Sequence, residues 1–253
     1  MRAGRSTGHP GGMDELYEAL DGALADGGRR WLDEALTFLS LDPGAITELF
    51  PATGLNCGRA PLAGPPGWTA DEAARTVLLC ALPTDRLRPA ELYLRGGTAE
   101  RRAILKALPH LIDRTAEGDA RTVLAGIGAD LVAAALGDPA LAPVALGAVD
   151  ALDGAAYRRA VLACVRAGVP LSAVQGLERR DDPLLARELA ARARDLVVAG
   201  RRVPRELWCF VQRHPDVLRD IAALLAPGPP VEGRRMAWIA LTERIAVLST
   251  RRV

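Results

Sequence analysis

The chain has 253 residues, 49% of them hydrophobic and 25% charged, with a net charge of +1. That length can bury roughly three quarters of the unfolded surface, in one large domain or two small ones. The near-neutral balance argues against a nucleic-acid partner, which needs a surplus of positive charge. The sequence holds no apolar run of about 18 residues, so no transmembrane segment is expected.

The basic residues are nearly all arginine, and Lys106 is the sole lysine. Aromatic residues make up only 4%, so the core must be built from Leu, Ala and Val. Val and Ile stand singly, not in alternating runs, and give a sheet little to work with. Residues 1–12 are basic but have no apolar stretch of a secretory signal. They read as a disordered tail, with Met13 a second candidate start. The expected location is cytoplasmic.

Residues 13–26 predict a first helix, with Leu16, Leu20 and Leu24 on one face and Gly27-Gly28 ending it. A second helix is expected over 29–41, with Trp31, Leu32, Ala35, Leu36 and Leu39 inward. Asp42-Pro43 restarts a helix, Asp capping and Pro in the first turn. That helix should stop before Pro51. Residues 51–68 hold four Pro and four Gly and show no periodicity. A structureless connection of that length is usually functional or disordered.

Thr69 and Glu72 form a capping box opening a helix with the stripe Ala73, Ala74, Val77, Leu78 and Ala81. Helices at 86–95 and 98–108 follow, with Thr98 as a cap. Residues 122–137 and 139–151, almost free of charge, are expected at the centre of the fold because they are apolar on most sides. A helix from 154 ends at Gly168. Asp182-Pro183 opens another, with Leu185, Leu189 and Leu196 inward. Helices then open at Pro204 and Pro215, a rigid linker spans 227–230, and a last helix spans 233–249. The cadence is helix, short Gly/Pro break, helix. It predicts an all-α fold, an irregular HEAT-like α-solenoid of stacked antiparallel helix pairs, as a single helical-repeat domain over 13–253.

Chemistry is sparse. His9, His110 and His214 make no metal-ligand spacing, and the latter two are expected at helix ends. No metal or cofactor is expected. Asp181-Asp182 reads as a cap, not a cation motif. The four cysteines, at 57, 80, 164 and 209, have no CxxC spacing; Cys80, Cys164 and Cys209 sit inside apolar helical patterns, and the set reads as buried free thiols in a reducing compartment. Cys57 also admits a sharper reading, because the neighbouring Arg59 can lower a thiol pKa. The candidate binding residues are those the irregular segment could present: Asn56, Cys57, Arg59 and Trp68. Asp71 and Arg75, one helical turn apart just beyond it, could pair with each other. The plain alternative is a loop over the first helices, with Trp68 and Leu62 plugging the core.

The series Phe50-Pro51-Ala52, Gly58-Arg59, Pro61-Leu62, Trp68-Thr69, Asp71 and Ala73-Ala74-Arg75 resembles the EboA-domain family. So do residues 99–111 (AERRAILKALPHL) and 160–171 (AVLACVRAGVPL). The resemblance implies a helical, HEAT-like protein encoded with other components of the ebo cluster, which moves secondary-metabolite precursors toward the cell envelope. It supplies no catalytic residues. The expected function is therefore a non-catalytic scaffold or carrier whose partners are other ebo-cluster proteins or a small metabolite. The rival is an all-α enzyme acting on a prenyl or isomerisable metabolite, with Cys57, Arg59, Asp71 and Arg75 as its polar groups and a closed pocket of several hundred cubic ångströms beside 51–68.

Overall fold

The structure, a computed structural model, describes residues 12–225. All of the expected tail except Gly12, the 227–230 linker and the helix at 233–249 lie outside the described residues. Among the described residues there are twelve α-helices and no β-strand. Two compact units divide the chain, Met1–Ala163 and Cys164–Val253.

The first unit opens with α1 (Met13–Ala23) and α2 (Asp26–Leu41). Gly27 and Gly28 do not end the first helix as expected; they lie in the first turn of α2. The reason is a close approach. A Cβ on Gly28 would stand 3.1 Å from the Asn56 carbonyl oxygen, so the glycine lets this turn pack against the end of α3. Leu16, Leu20, Leu24, Leu32, Ala35 and Leu39 are buried, as their spacing predicts, while Trp31 and Leu36, also expected inward, are only half-buried.

Asp42 caps a short 3-10 turn, accepting the Gly44 N–H at 2.9 Å, and the chain continues into α3 (Ile46–Cys57). Here the expected stop before Pro51 is wrong, because the helix runs through Pro51 to Cys57. A proline removes one backbone donor. The turn that contains it is still anchored, by Phe50 buried in the core and by Thr53 donating to the Leu49 carbonyl. The irregular stretch therefore shrinks to residues 58–68. It is closed on itself by an antiparallel bridge between Pro61 and Thr69, with Leu62 N–H donating to the Trp68 carbonyl and Ala70 N–H to that of Ala60.

α4 (Ala70–Ala81) starts at the predicted capping box of Thr69 and Glu72. It is the axis of the unit, packed on α1, α2, α3 and α6. Every residue from Ala70 to Leu79 is buried, while Ala81, placed in the apolar stripe by its spacing, is exposed. After α5 (Pro89–Arg95) comes α6 (Thr98–Arg114). Thr98 is its first residue and not its cap, and the helix continues six residues past the expected end, through Pro109. His110 thus lies inside a helix. Leu78, Leu79, Ile104, Leu105 and Leu108 are wholly buried between these helices, each contributing about 1.5–3 kcal/mol.

The centre of this unit is α4 with α6, not the charge-poor stretch 122–151. α7 (Asp119–Ala135) buries one face and leaves Val123 exposed. α8 (Ala142–Ala148) is short and packs on α6 and α7. α9 (Gly154–Arg166) follows. The charge-poor composition misleads because alanine and glycine tolerate exposure as well as burial; the charged side chains that are buried sit on α4.

In the second unit, α10 (Pro183–Val198) packs on α11 (Arg205–Val211) and α12 (Pro215–Leu225). Asp182 caps α10 as expected, accepting the N–H groups of Leu184 and Leu185 at 3.0 Å. Leu185, Leu189 and Leu196 are buried.

Candidate functional site

Four cations and three carboxylates of the first unit form one connected group around the start of α4. Arg75 is wholly buried. Its Nη1 donates to Asp71 Oδ2 at 2.6 Å, its Nη2 to Glu100 Oε1 at 3.0 Å and its Nε to the Phe50 carbonyl at 2.9 Å. Its guanidinium also lies 5.6 Å from the centre of the Phe50 ring. Asp71 accepts the Thr69 hydroxyl at 2.6 Å, and Arg59 stands 3.7 Å away. Thr69 links this half to the other: its backbone N–H donates to Glu72 Oε2 at 3.2 Å. Glu72 is also paired with Arg102 Nε at 2.9 Å and with Lys106 Nζ. The same ammonium donates to the Gly67 carbonyl.

The i, i+4 pair of Asp71 and Arg75 is therefore present, but it faces inward. It ties α3, α4 and α6 together and offers no surface to a ligand. A buried ion pair is kept only where its remaining hydrogen-bonding groups are satisfied, and this guanidinium donates from all three of its nitrogens.

Cys57 is buried beside this group. Loss of solvent outweighs the attraction of Arg75 and pushes its thiol up to about 11. Arg59, the neighbour expected to activate it, is spent on Asp71. Asn56 is exposed and folds back on its own helix, its amide donating to the Ala52 carbonyl at 2.9 Å.

Trp68 is the candidate that reaches a cavity. Half-buried at the end of the 58–68 loop, it lines a cleft of about 360 Å³ with Arg102, Lys106 and His110 of α6. The floor and far wall are apolar: Leu105 and Pro109 from α6, Pro143, Val144, Gly147 and Ala148 from α8. Lys106 Nζ sits 4.9 Å over the Trp68 ring centre, a cation–π contact. The His110 ring lies 5.9 Å from that of Trp68, tilted at 59°. Residues 102, 106 and 110 are each one helical turn apart, which places them in a row along α6. Loss of solvent holds Lys106 below its ordinary pKa, against the pull of Glu72, which raises it.

Of the six residues expected to form a site, the structure thus places Trp68 on the cleft, Asp71, Arg75 and Cys57 in the core, and Asn56 and Arg59 on the surface. The cleft residues Arg102, Lys106 and His110 are ones that sequence reasoning missed. Their signal is legible all the same: a basic or imidazole side chain at every fourth position, including the chain's only lysine. An expected helix end at residue 108 hides it.

The second unit has a wider hollow of about 820 Å³ between residues 171–179 and α11. Two of its polar side chains, Glu206 and Arg213, are committed to the segment around it. Glu206 accepts the Leu171 N–H at 2.8 Å and the Ser172 hydroxyl at 3.2 Å, and Arg213 donates to the carbonyls of Leu177, Glu178 and Arg180.

Among the described residues no group of His, Cys, Asp or Glu is arranged to hold a metal ion. No described helix is long and apolar enough to cross a membrane.

Fold and cleft together define an all-helical protein with an apolar, cation-edged hollow of small-molecule size. The chain matches the family model described as metabolite traffic protein EboA over residues 60–212, more than half its length, and it belongs to that family. The matched span contains the 58–68 loop from Ala60 onward, α4, α6 and α8, and so the whole cleft. No curated protein and no solved structure matches the chain.

Proposed function

We propose that this protein binds a small metabolite and passes it on unchanged, as a cytoplasmic carrier or scaffold working with other ebo-cluster proteins. The observation that carries this reading is the cleft. Its cations are held by fixed partners, so the wall is ordered before any ligand arrives, which favours binding. The groups that could have done chemistry are tied up: the Cys57 thiol stays protonated at neutral pH, and Asp71 and Arg75 neutralise each other in the core. Within the first unit, consecutive helices such as α2–α3, α6–α7 and α7–α8 pack on one another, which supports a HEAT-like stacking of pairs as part of the same proposal.

The rival, an enzyme for a prenyl or isomerisable metabolite, draws on two features, the first being the same cleft of about 360 Å³, which stands beside the 51–68 segment where that reading expects a pocket. The second is that desolvation depresses the pKa of Lys106, as it does for lysines that act as bases. One experiment separates the two. Purified protein is incubated with the small-molecule extract of its source cells, and bound and free compounds are followed by mass spectrometry. The carrier reading expects a compound retained and released at unchanged mass. Steady conversion of a compound by the protein alone would overturn it.

A further inference from the structure

Beside the cleft, a single carboxylate serves two cations. Glu72 is the common partner of Arg102 and Lys106, and it also accepts the Thr69 N–H. The remaining charges of the cluster cancel among themselves: Arg59 and Arg75 face Asp71 and Glu100. One positive charge is therefore left over, and it lies on the side that lines the cleft. The Arg102 side chain is 33% exposed and that of Lys106 12%. Arg102 uses Nε on Glu72 and Nη1 on the Ala140 carbonyl, at 3.1 Å.

The rest of the cleft is of the opposite character. Trp68 stands at one edge, and Pro66, Pro143 and Val144 make the accessible hydrocarbon surface, with Leu105, Pro109 and Ala148 buried behind it. At about 360 Å³ the space sits near the lower end of small-molecule sites, about 300–1,000 Å³. A body of one or two rings suits it better than a long chain.

Building on the carriage reading above, we infer that the cleft takes a small molecule joining a flat apolar ring system to one anionic group. The rings lie against Trp68 and the α8 wall, and the anion meets the surplus charge of Arg102 and Lys106. A carboxylate and a phosphate share this chemistry. A charge-assisted hydrogen bond at a half-buried site is strong enough to discriminate an anion from its neutral isostere.

The test uses the full chain and calorimetric titration with four probes: 2-naphthoate, its neutral isostere 2-naphthamide, 1-naphthyl phosphate and inorganic phosphate. The naphthoate or the naphthyl phosphate should bind at least about tenfold tighter than the amide. Which of the two is tighter separates a carboxylate from a phosphate source. Inorganic phosphate, having no ring, should bind weakest.

Two variants locate the site. Lys106→Met should erase the preference for the anion. Gly147→Leu fills the cleft from α8. A Cβ at Gly147 meets nothing within 4 Å, so this variant should fold normally and lose naphthoate binding. Equal affinity for naphthoate and naphthamide, no binding by any probe, or undiminished binding by Gly147→Leu would each overturn the inference. Failure of the carriage reading looks different: the cell metabolite would be converted, whatever the probes do. Should the probes fail while Gly147→Leu still abolishes retention of an unchanged metabolite, only the ligand class is wrong.

Discussion

Gly54 leaves in α3 the space that the Arg75 guanidinium fills: a Cβ at position 54 would stand 3.1 Å from Arg75 Nη2 and 3.9 Å from Asp71 Oδ2. Arg75 cannot swing aside, because each of its three nitrogens donates to a different partner. Gly54→Ala would gain up to about 1 kcal/mol of helix propensity, and the forced shift of a buried ion pair costs more, about 1–3 kcal/mol. A net loss of stability is expected in urea denaturation, at unchanged helical content by circular dichroism. A more stable variant would show that the guanidinium is less tightly held than its contacts indicate.

Glu72 carries two roles, closing the capping box and neutralising two cations. Glu72→Gln should therefore be far more damaging than Thr69→Ala. Removing one partner from a buried charge cluster costs about 3–5 kcal/mol, and losing an N-cap hydroxyl about 1 kcal/mol. Denaturation midpoints of the two variants check the order. Equal losses would show that the cap, not the ion cluster, holds the start of α4.

The thiols of Cys57, Cys80 and Cys164 are each pushed up to about 11 from an ordinary 9, chiefly by loss of solvent. Cys209, expected to be buried, is exposed. Iodoacetamide at pH 8 should accordingly label Cys209 first, with the other three lagging well behind, as read by peptide mapping. The sign for stability follows from the same shifts. A thiol pKa raised on folding stabilises fully below the unfolded value of 9.0, and that contribution is lost as pH rises toward 11. Stability should fall across that window, and less steeply in Cys164→Ala than in the native chain.

In the second unit the Asp182 carboxylate caps α10 through two backbone N–H groups. Asp182→Ala should cost about 1 kcal/mol, and Asp182→Asn only a fraction of that, since the amide oxygen still accepts. Comparison of the two by thermal unfolding separates capping from charge.

What the residues disclose on their own is the helical grammar. The capping box at Thr69 and Glu72, the Asp182-Pro183 start and the leucine spacings of α1, α2 and α10 all stand where local rules place them. Local rules fail where tertiary contacts override them. Pro51 and Pro109 have the local signature of stops, yet both lie within helices anchored by burial. Gly28 has that of a terminator and is a spacer. The site suffers from the same error. With α3 expected to end at 50, residues 51–68 look like one long presenting loop. With α6 expected to end at 108, His110 falls off the helix that aligns it with Arg102 and Lys106. Asp71 and Arg75 are partners, as their spacing predicts, but spacing along one helix cannot say which way a pair faces.

The ammonium of Lys106 reaches both Glu72 and the Gly67 carbonyl, so Trp68 is bolted to the same corner of the molecule that starts its central helix. That wall cannot be redesigned without putting folding at risk. The opposite wall, at Pro143, Val144 and Gly147, carries no such duty. Under the proposed carriage role, a change in ligand preference would therefore be written on α8, while the indole side stays as it is.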